Sequence, residues 1–233
     1  MKIPSALRHV TDLLMILTLL GLMAYFLTGQ AVHEWLGAAA LVLFVLHHIW
    51  NGKWLAALGK GGYPPARILQ TALAVLLLIS MLAQMVSGIA MSRHALSFLD
   101  LPVPISAARL IHLACGQWTW LLTGLHLGVH WSAFLGLGRK TRGGKPLHPA
   151  GRRLLRLAAL AAAGWGLACF LAQRIPDYLF LRTQFAFFDY EKPVLLTAAE
   201  LLAMLALWTL VGYLLQKLAL RLGRSQRKER TVS

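Results

Sequence analysis

Residues 31–50 read AVHEWLGAAALVLFVLHHIW and residues 107–130 read AARLIHLACGQWTWLLTGLHLGVH. Both are long apolar runs, and each carries two histidines fourteen positions apart: His33 and His47, then His112 and His126. An α-helix rises about 1.5 Å per residue, so each pair spans about 21 Å and returns to nearly the same face. Against a hydrocarbon core about 30 Å thick, such a pair sets one imidazole towards each side of a bilayer. Two parallel helices with matched pairs satisfy the requirement of two stacked bis-histidine haems, His33 level with His112 and His47 level with His126.

The rest of the chain agrees with a membrane setting. It is 58% hydrophobic and 13% charged over 233 residues, and the apolar residues fall in blocks rather than alternating with polar ones. Six spans can be drawn, at 10–28, 31–50, 68–91, 107–135, 154–173 and 194–220. Each supplies about the twenty apolar residues that a crossing helix needs, and helix is the form that satisfies backbone polar groups in lipid. The expected fold is all-α and polytopic: a di-haem four-helix bundle followed by a C-terminal helical hairpin. The net charge of +15 does not indicate nucleic acid, because most Lys and Arg sit in loops and in the tail.

Their distribution orients the chain. Lys2, Arg8, Lys53, Lys60, Arg67, the basic stretch 139–156 and the tail 217–230 fall on one side. The other side receives Gly29-Gln30, Arg93, Arg109 and the charge-balanced, aromatic stretch 174–193, which suits an amphipathic segment at the interface. Basic loops stay in the cytoplasm, so both termini are expected there, in a multi-pass protein of the bacterial inner membrane. A cleaved leader competes for the first span, with Gly29-Gln30-Ala31 as its processing site. That apolar run is long for a leader, and cleavage would leave His33 near a frayed terminus.

Histidine in a membrane helix can simply bond a neighbour. Here, however, six of the nine histidines lie in spans two and four: His33, His47, His48, His112, His126 and His130. Ionisable groups are costly in lipid and point to function. Gly37 follows His33 by four and Gly116 follows His112 by four, so each lies one turn along on the ligand's own face, where a flat macrocycle needs a gap. Gly124 and Gly128 flank His126, and Gly21 and Gly88 are candidates to open the remaining walls. His47 is preferred to His48 because its angular offset from His33 equals that of His126 from His112. His48 is then expected to meet a propionate or Asn51, and His130 is the alternative to His126. Arg109, three before His112, and Arg93 are candidate propionate ligands, with Lys53 their inner counterpart. Snorkelling anchors are the plain alternative for all three. Glu34, His94 and Asp100 gather near the outer surface, where solvated loop residues are the simpler reading and proton-coupled quinol oxidation the other. Cys115 and Cys169 lie in different spans and form no Cys-x-x-Cys-His site, so covalent haem and iron–sulfur clusters are not expected.

These residues carry a resemblance. Thr11-Asp12-Leu13-Leu14, His33-Glu34-Trp35-Leu36-Gly37, His47-His48 with Asn51, Ser87-Gly88-Ile89 with Met91-Ser92, Arg109 with His112, and Leu125-His126 with His130-Trp131 resemble a bacterial cytochrome-b-like integral membrane family. That family is catalogued as a domain of unknown function and is related in histidine pattern to the di-haem core of cytochrome b. The resemblance covers 11–132. There is no Pro-Glu-Trp-Tyr string and no long quinol loop, which sets the chain apart from Q-cycle enzymes. The spans and charges of the chain set the expected organisation: a di-haem four-helix domain over 1–138, a basic cytoplasmic loop over 139–156 and a two-helix membrane hairpin with a basic tail over 157–233. The resemblance implies transmembrane electron transfer to or from a redox partner on the outer face, while the histidine pairs and the cysteine usage lead to the expectation of two non-covalent b haems, with a quinone as candidate substrate. That partner would be a flavin-bearing or cytochrome-type protein, and the donor the quinone pool or a cytoplasmic protein. A self-sufficient quinone or metal reductase and a non-redox anchor or transporter are the alternatives.

Overall fold

The computed structural model describes residues 4–141, 143–187, 189 and 191–232, with backbone alone at 137, 139–141 and 226–232. Regular structure among them is entirely helical: α1 (Ser5–Met23), α2 (Tyr25–Trp50), α3 (Gly52–Ala57), α4 (Pro65–Met91), α5 (Ile105–Val129), α6 (Trp131–Thr141), α7 (Pro149–Ala172), α8 (Ile175–Leu179) and α9 (Val194–Val232). Five stretches are long and apolar enough to cross a membrane: Ser5–Met23, Tyr25–Trp50, Pro65–Met91, Pro149–Ala172 and Val194–Ser225. Six were expected. The one that falls out of the group is α5, which has 25 residues but spends many of them on His, Gln, Thr, Trp and Gly. Leu13, Leu17, Val42, Ile49, Leu76, Leu157 and Leu171 are all exposed on the apolar helices, as side chains turned to lipid would be.

Boundaries differ from the sequence reading where local chemistry intervenes. The first helix stops at Met23, and the Ala24 N–H closes on the Leu20 carbonyl. One short turn follows, and Gly29 at φ 71° and ψ 172° breaks the chain in a region open to glycine and strained for other residues. The fourth span ends early: α5 stops at Val129 and α6 starts at Trp131, with His130 in the break. Among the described residues of 174–193, the stretch expected to suit an amphipathic segment at the interface, the regular structure is the five-residue α8, and Arg174 and Leu181 are left-handed. Arg142 lies outside the described residues.

The chain forms two compact units. The first comprises Met1–Gly62, Ile79–Gln117 and Asp177–Ala198. In it α1 packs along α2, with Gly21 against Leu36, and Ser80 on α4 donates to the Cys115 carbonyl of α5 at 3.2 Å. The link after α4 is fastened by one side chain. Glu34 accepts from the backbone N–H groups of Arg93, His94 and Ala95 at 2.6–3.1 Å, from Ser92 Oγ at 2.8 Å and from Gln30 Nε2 at 3.1 Å.

The second unit comprises Tyr63–Leu78, Trp118–Pro176 and Ala199–Ser233. Here glycine allows helix backbones to touch. A Cβ on Gly128 would sit 2.6 Å from Tyr213 N and 2.8 Å from Gly212 Cα, and would strike the Thr209 carbonyl. Gly166 on α7 meets the Ala203 carbonyl of α9, and Gly212 meets that of Leu125. Small residues at close crossings are the usual basis of helix association in lipid. The Phe170 and Trp208 rings meet edge-on at 5.3 Å, and Gln173 Nε2 donates to Glu200 at 2.8 Å.

Candidate functional site

The first unit brings His33 of α2 and His112 of α5 together, ring centroids 6.0 Å apart and planes inclined at 68°. The second half of α4 forms the wall beside them. Its Ser80, Gln84 and Ser87 fall at i, i+4 and i+7, one polar face on an otherwise apolar half of the helix.

The hydrogen bonds around His112 fix its tautomer. The Ser87 hydroxyl donates to the Ala83 carbonyl at 2.7 Å, so towards the histidine its oxygen accepts. His112 Nδ1–H therefore donates to Ser87 Oγ and to the Gln84 carbonyl, both at 3.2 Å. Nε2 is then the bare nitrogen, and it takes the Gln84 side-chain N–H at 3.0 Å. A carbonyl or hydroxyl on Nδ1 with Nε2 left as the ligand atom is the arrangement of metal-binding histidines. Gly88 lies against the ring, where a Cβ would come within 3.1 Å of Cε1.

Whether these residues fit a haem can be tested on three observations. An iron between two imidazole nitrogens, each at about 2.0 Å, separates the ring centres by about 6 Å. The His33–His112 spacing is 6.0 Å. Second, two buried polar atoms here lack a hydrogen-bond partner: His33 Nδ1 and Gln84 Oε1. Third, a Cβ on Gly37 would meet nothing within 4 Å, and one on Gly116 would meet the Gln84 amide first, at an ordinary contact distance of 3.5 Å. The ring spacing and the open face at Gly37 match what the group needs, while His112 Nε2 is taken by the Gln84 amide at 3.0 Å. No cluster of three or more His, Cys, Asp or Glu side chains occurs among the described residues, and two axial histidines do not require one.

The other expected site residues are distributed as follows. His47 belongs to the first unit and His126 to the second, so their pairing rests on sequence spacing alone. His47 Nδ1 meets Asp12 Oδ1 of α1 at 2.8 Å. His48 Nδ1–H donates to the Phe44 carbonyl at 2.8 Å, and its ring packs on that of Phe44 at 4.2 Å. Asn51 does not serve His48 as expected, because its amide donates to the His47 carbonyl one turn back. His126 and His130 lie 4.9 Å apart between ring centroids. Arg93, Arg109 and Lys53 are all exposed. Glu34 is not a solvated loop residue, since its carboxylate holds the 92–95 backbone. Gly21 opens no wall, being packed on Leu36, and Gly124 and Gly128 serve helix contact with α9.

Three residues in this environment were given no role from sequence: Gln84, and Asp12 and Ser87, which entered only within strings that carry the resemblance. Each had a signal. Asp12 is the one acidic residue of α1, and an intramembrane carboxylate defaults to a functional reading. Gln84 and Ser87 lie on the polar face of α4.

No family model, curated protein or solved structure matches this chain.

Proposed function

We propose that the chain is a b-type, bis-histidine electron carrier of the bacterial inner membrane, with His33 and His112 the axial ligands of one haem. The observation that carries the reading is the 6.0 Å separation of those rings, beside the orphaned His33 Nδ1 and the open face at Gly37. When bound, haem supplies a one-electron couple, and two haems in one bundle carry electrons between the faces of the bilayer. The protein's own residues do the rest. Ser87 and the Gln84 carbonyl hold the His112 tautomer, Gly88 sets how closely α4 approaches that ring, and Glu34 ties the helix bearing His33 to the 92–95 link.

The second haem, on His47 and His126, follows from the fourteen-residue spacing alone. In this reading α5 is a sixth span whose low apolarity reflects its ligands. Both termini lie in the cytoplasm, a quinone or a flavin-bearing or cytochrome-type protein is the redox partner, and Arg93 and Arg109 are available to propionates. One observation favours a non-redox reading. Both His112 nitrogens already have partners on α4, as a packing histidine would.

Pyridine haemochrome analysis of the detergent-purified protein separates the two. Two acid–acetone-extractable b haems per chain are expected, with His33→Ala and His112→Ala losing the same one. Protein purified without haem, and unable to take up added haemin, would refute the proposal.

A further inference from the structure

Most of the chain's net charge belongs to one of its two units. By sequence, the segments of the first unit hold eight Lys and Arg against six Asp and Glu, whereas those of the second hold fifteen against two. The positive-inside rule asks only that cations share a side of the membrane. It does not account for their alignment on one helix face. On α9, Lys217, Arg221 and Arg224 fall at i, i+4 and i+7, one exposed stripe. Leu214, Leu218 and Leu222, also exposed, form a second stripe beside it. Gly212, Gln216 and Ala219 are buried and lie on the opposite side, where Gly212 meets Leu125 of α5. Two observations give the depth. A Cβ on Gly223 would stand 3.5 Å from Cδ of Pro65, the first residue of α4, so this length of α9 is level with the start of another apolar helix. Counted from Val194, about twenty residues cross the hydrocarbon core, which leaves Lys217 to Arg224 about 5–15 Å past its edge, at and just beyond the headgroups. There the Lys217 ammonium lies over the Tyr213 ring, 4.8 Å from its centroid.

We propose that this outward face of α9 binds an anionic phospholipid, its headgroup phosphate on Lys217, Arg221 and Arg224 and its acyl chain along the leucines. Charge complementarity carries the first half. With two carboxylates to fifteen cations in the sequence of its unit, most of the positive charge must be met by anions from outside the chain. A Lys or Arg beside an anionic lipid surface is worth about fivefold in binding. The leucines carry the second half, because they separate a lipid from an acidic protein. A soluble acidic partner brings carboxylates but has no use for three exposed leucines beside the cations. A phospholipid brings charge and hydrocarbon on one molecule. Lys and Arg suit it, since their stems lie along apolar surface while their heads reach the phosphate. The site stands whether or not the histidines bind haem.

The experiment uses full-length protein stripped of lipid in a non-ionic detergent, with phosphatidylglycerol or phosphatidylcholine of the same acyl chains added in mixed micelles. Native mass spectrometry counts the lipid bound per chain, and thermal unfolding reads its effect. Phosphatidylglycerol should bind more tightly and raise the unfolding temperature further. Arg221→Gln combined with Arg224→Gln should weaken phosphatidylglycerol by about 25-fold, fivefold for each cation, and leave phosphatidylcholine unchanged. Lys60→Gln, a cation of the other unit, should hold the native affinity within about twofold. Equal binding of the two lipids, or undiminished phosphatidylglycerol affinity in the double variant, overturns the proposal. So does protection by inorganic phosphate or soluble polyglutamate as strong as that by phosphatidylglycerol, since a free anion or an acidic protein surface would then suffice. Should the double variant not accumulate, the native protein decides through salt. The preference for phosphatidylglycerol should fall as ionic strength rises, and a preference indifferent to salt overturns the assignment.

Discussion

Replacing Gly37 by alanine distinguishes a haem site from a packed histidine pair through effects of opposite sign. Gly37 lies one turn beyond His33 on the same face of α2, and a Cβ built there meets no atom within 4 Å. The protein therefore offers no steric objection to a methyl group. Because glycine inside a helix costs about 1 kcal/mol relative to alanine, the haem-free variant should be more stable by up to that amount. With a macrocycle edge seated on this face the methyl group is an intruder. Overpacking costs about 1–3 kcal/mol, which corresponds to a loss of about 5- to 150-fold in affinity. The assay is a haemin titration of the haem-free protein in detergent, followed in the Soret band, beside thermal unfolding of the same sample. Gly37→Ala that unfolds at or above the native temperature yet binds haemin more weakly fits the reasoning. Undiminished haemin affinity would show that no ring edge approaches Gly37 and would refute it.

Other consequences follow from the same contacts. Gly88→Ala places a Cβ 3.1 Å from His112 Cε1, so the ring must yield a few tenths of an ångström and stretch its 3.2 Å bonds to Ser87 and the Gln84 carbonyl. A loss of about 1–3 kcal/mol in haem binding or stability is expected, read in the same titration. Glu34→Ala removes the acceptor of three backbone N–H groups and the Ser92 hydroxyl. Exposed Arg93 and His94 recover water, so about 1–2 kcal/mol of stability should go, with faster proteolysis at 92–95 as the local check. Reporter fusions after Gly144 and at the C-terminus should show a cytoplasmic location and one at Phe185 the outer compartment; an outer location for Gly144 inverts the orientation.

What was legible in the sequence was what depends on one helix at a time. Apolar blocks gave the helical class and five of the helices long and apolar enough to cross a membrane, and the placement of His33 and His112 within their runs put them level before any packing was known. What was not legible depends on partners far apart in the chain. Asp12 meets His47 across 35 positions and Ser87 meets His112 across 25, and no periodicity in either helix encodes the pairing. Glu34 was misjudged because its partners are backbone N–H groups, which any sequence could have supplied. The glycines split by neighbour: Gly37 faces space, whereas Gly124 and Gly128, equally suggestive beside His126, are filled by α9.

Gln84 is where the two readings of the histidines separate most sharply. Its N–H occupies His112 Nε2 at 3.0 Å while its oxygen is buried without a partner. Such an unsatisfied acceptor costs about 1–3 kcal/mol. If the histidines only pack, Gln84 is structural, and Gln84→Leu strips Nε2 of its one donor and destabilises the protein by about 1–3 kcal/mol. If Nε2 belongs to iron, the amide is a placeholder. Its replacement by leucine then removes an orphaned oxygen and leaves the haem-bound protein as stable as before, while the haem-free form alone loses stability. Thermal unfolding of Gln84→Leu with and without added haemin reads both numbers in one preparation. Equal destabilisation in the two states would show that the Gln84 bond to Nε2 persists with haemin present, and the assignment of His112 as an axial ligand would fail with it.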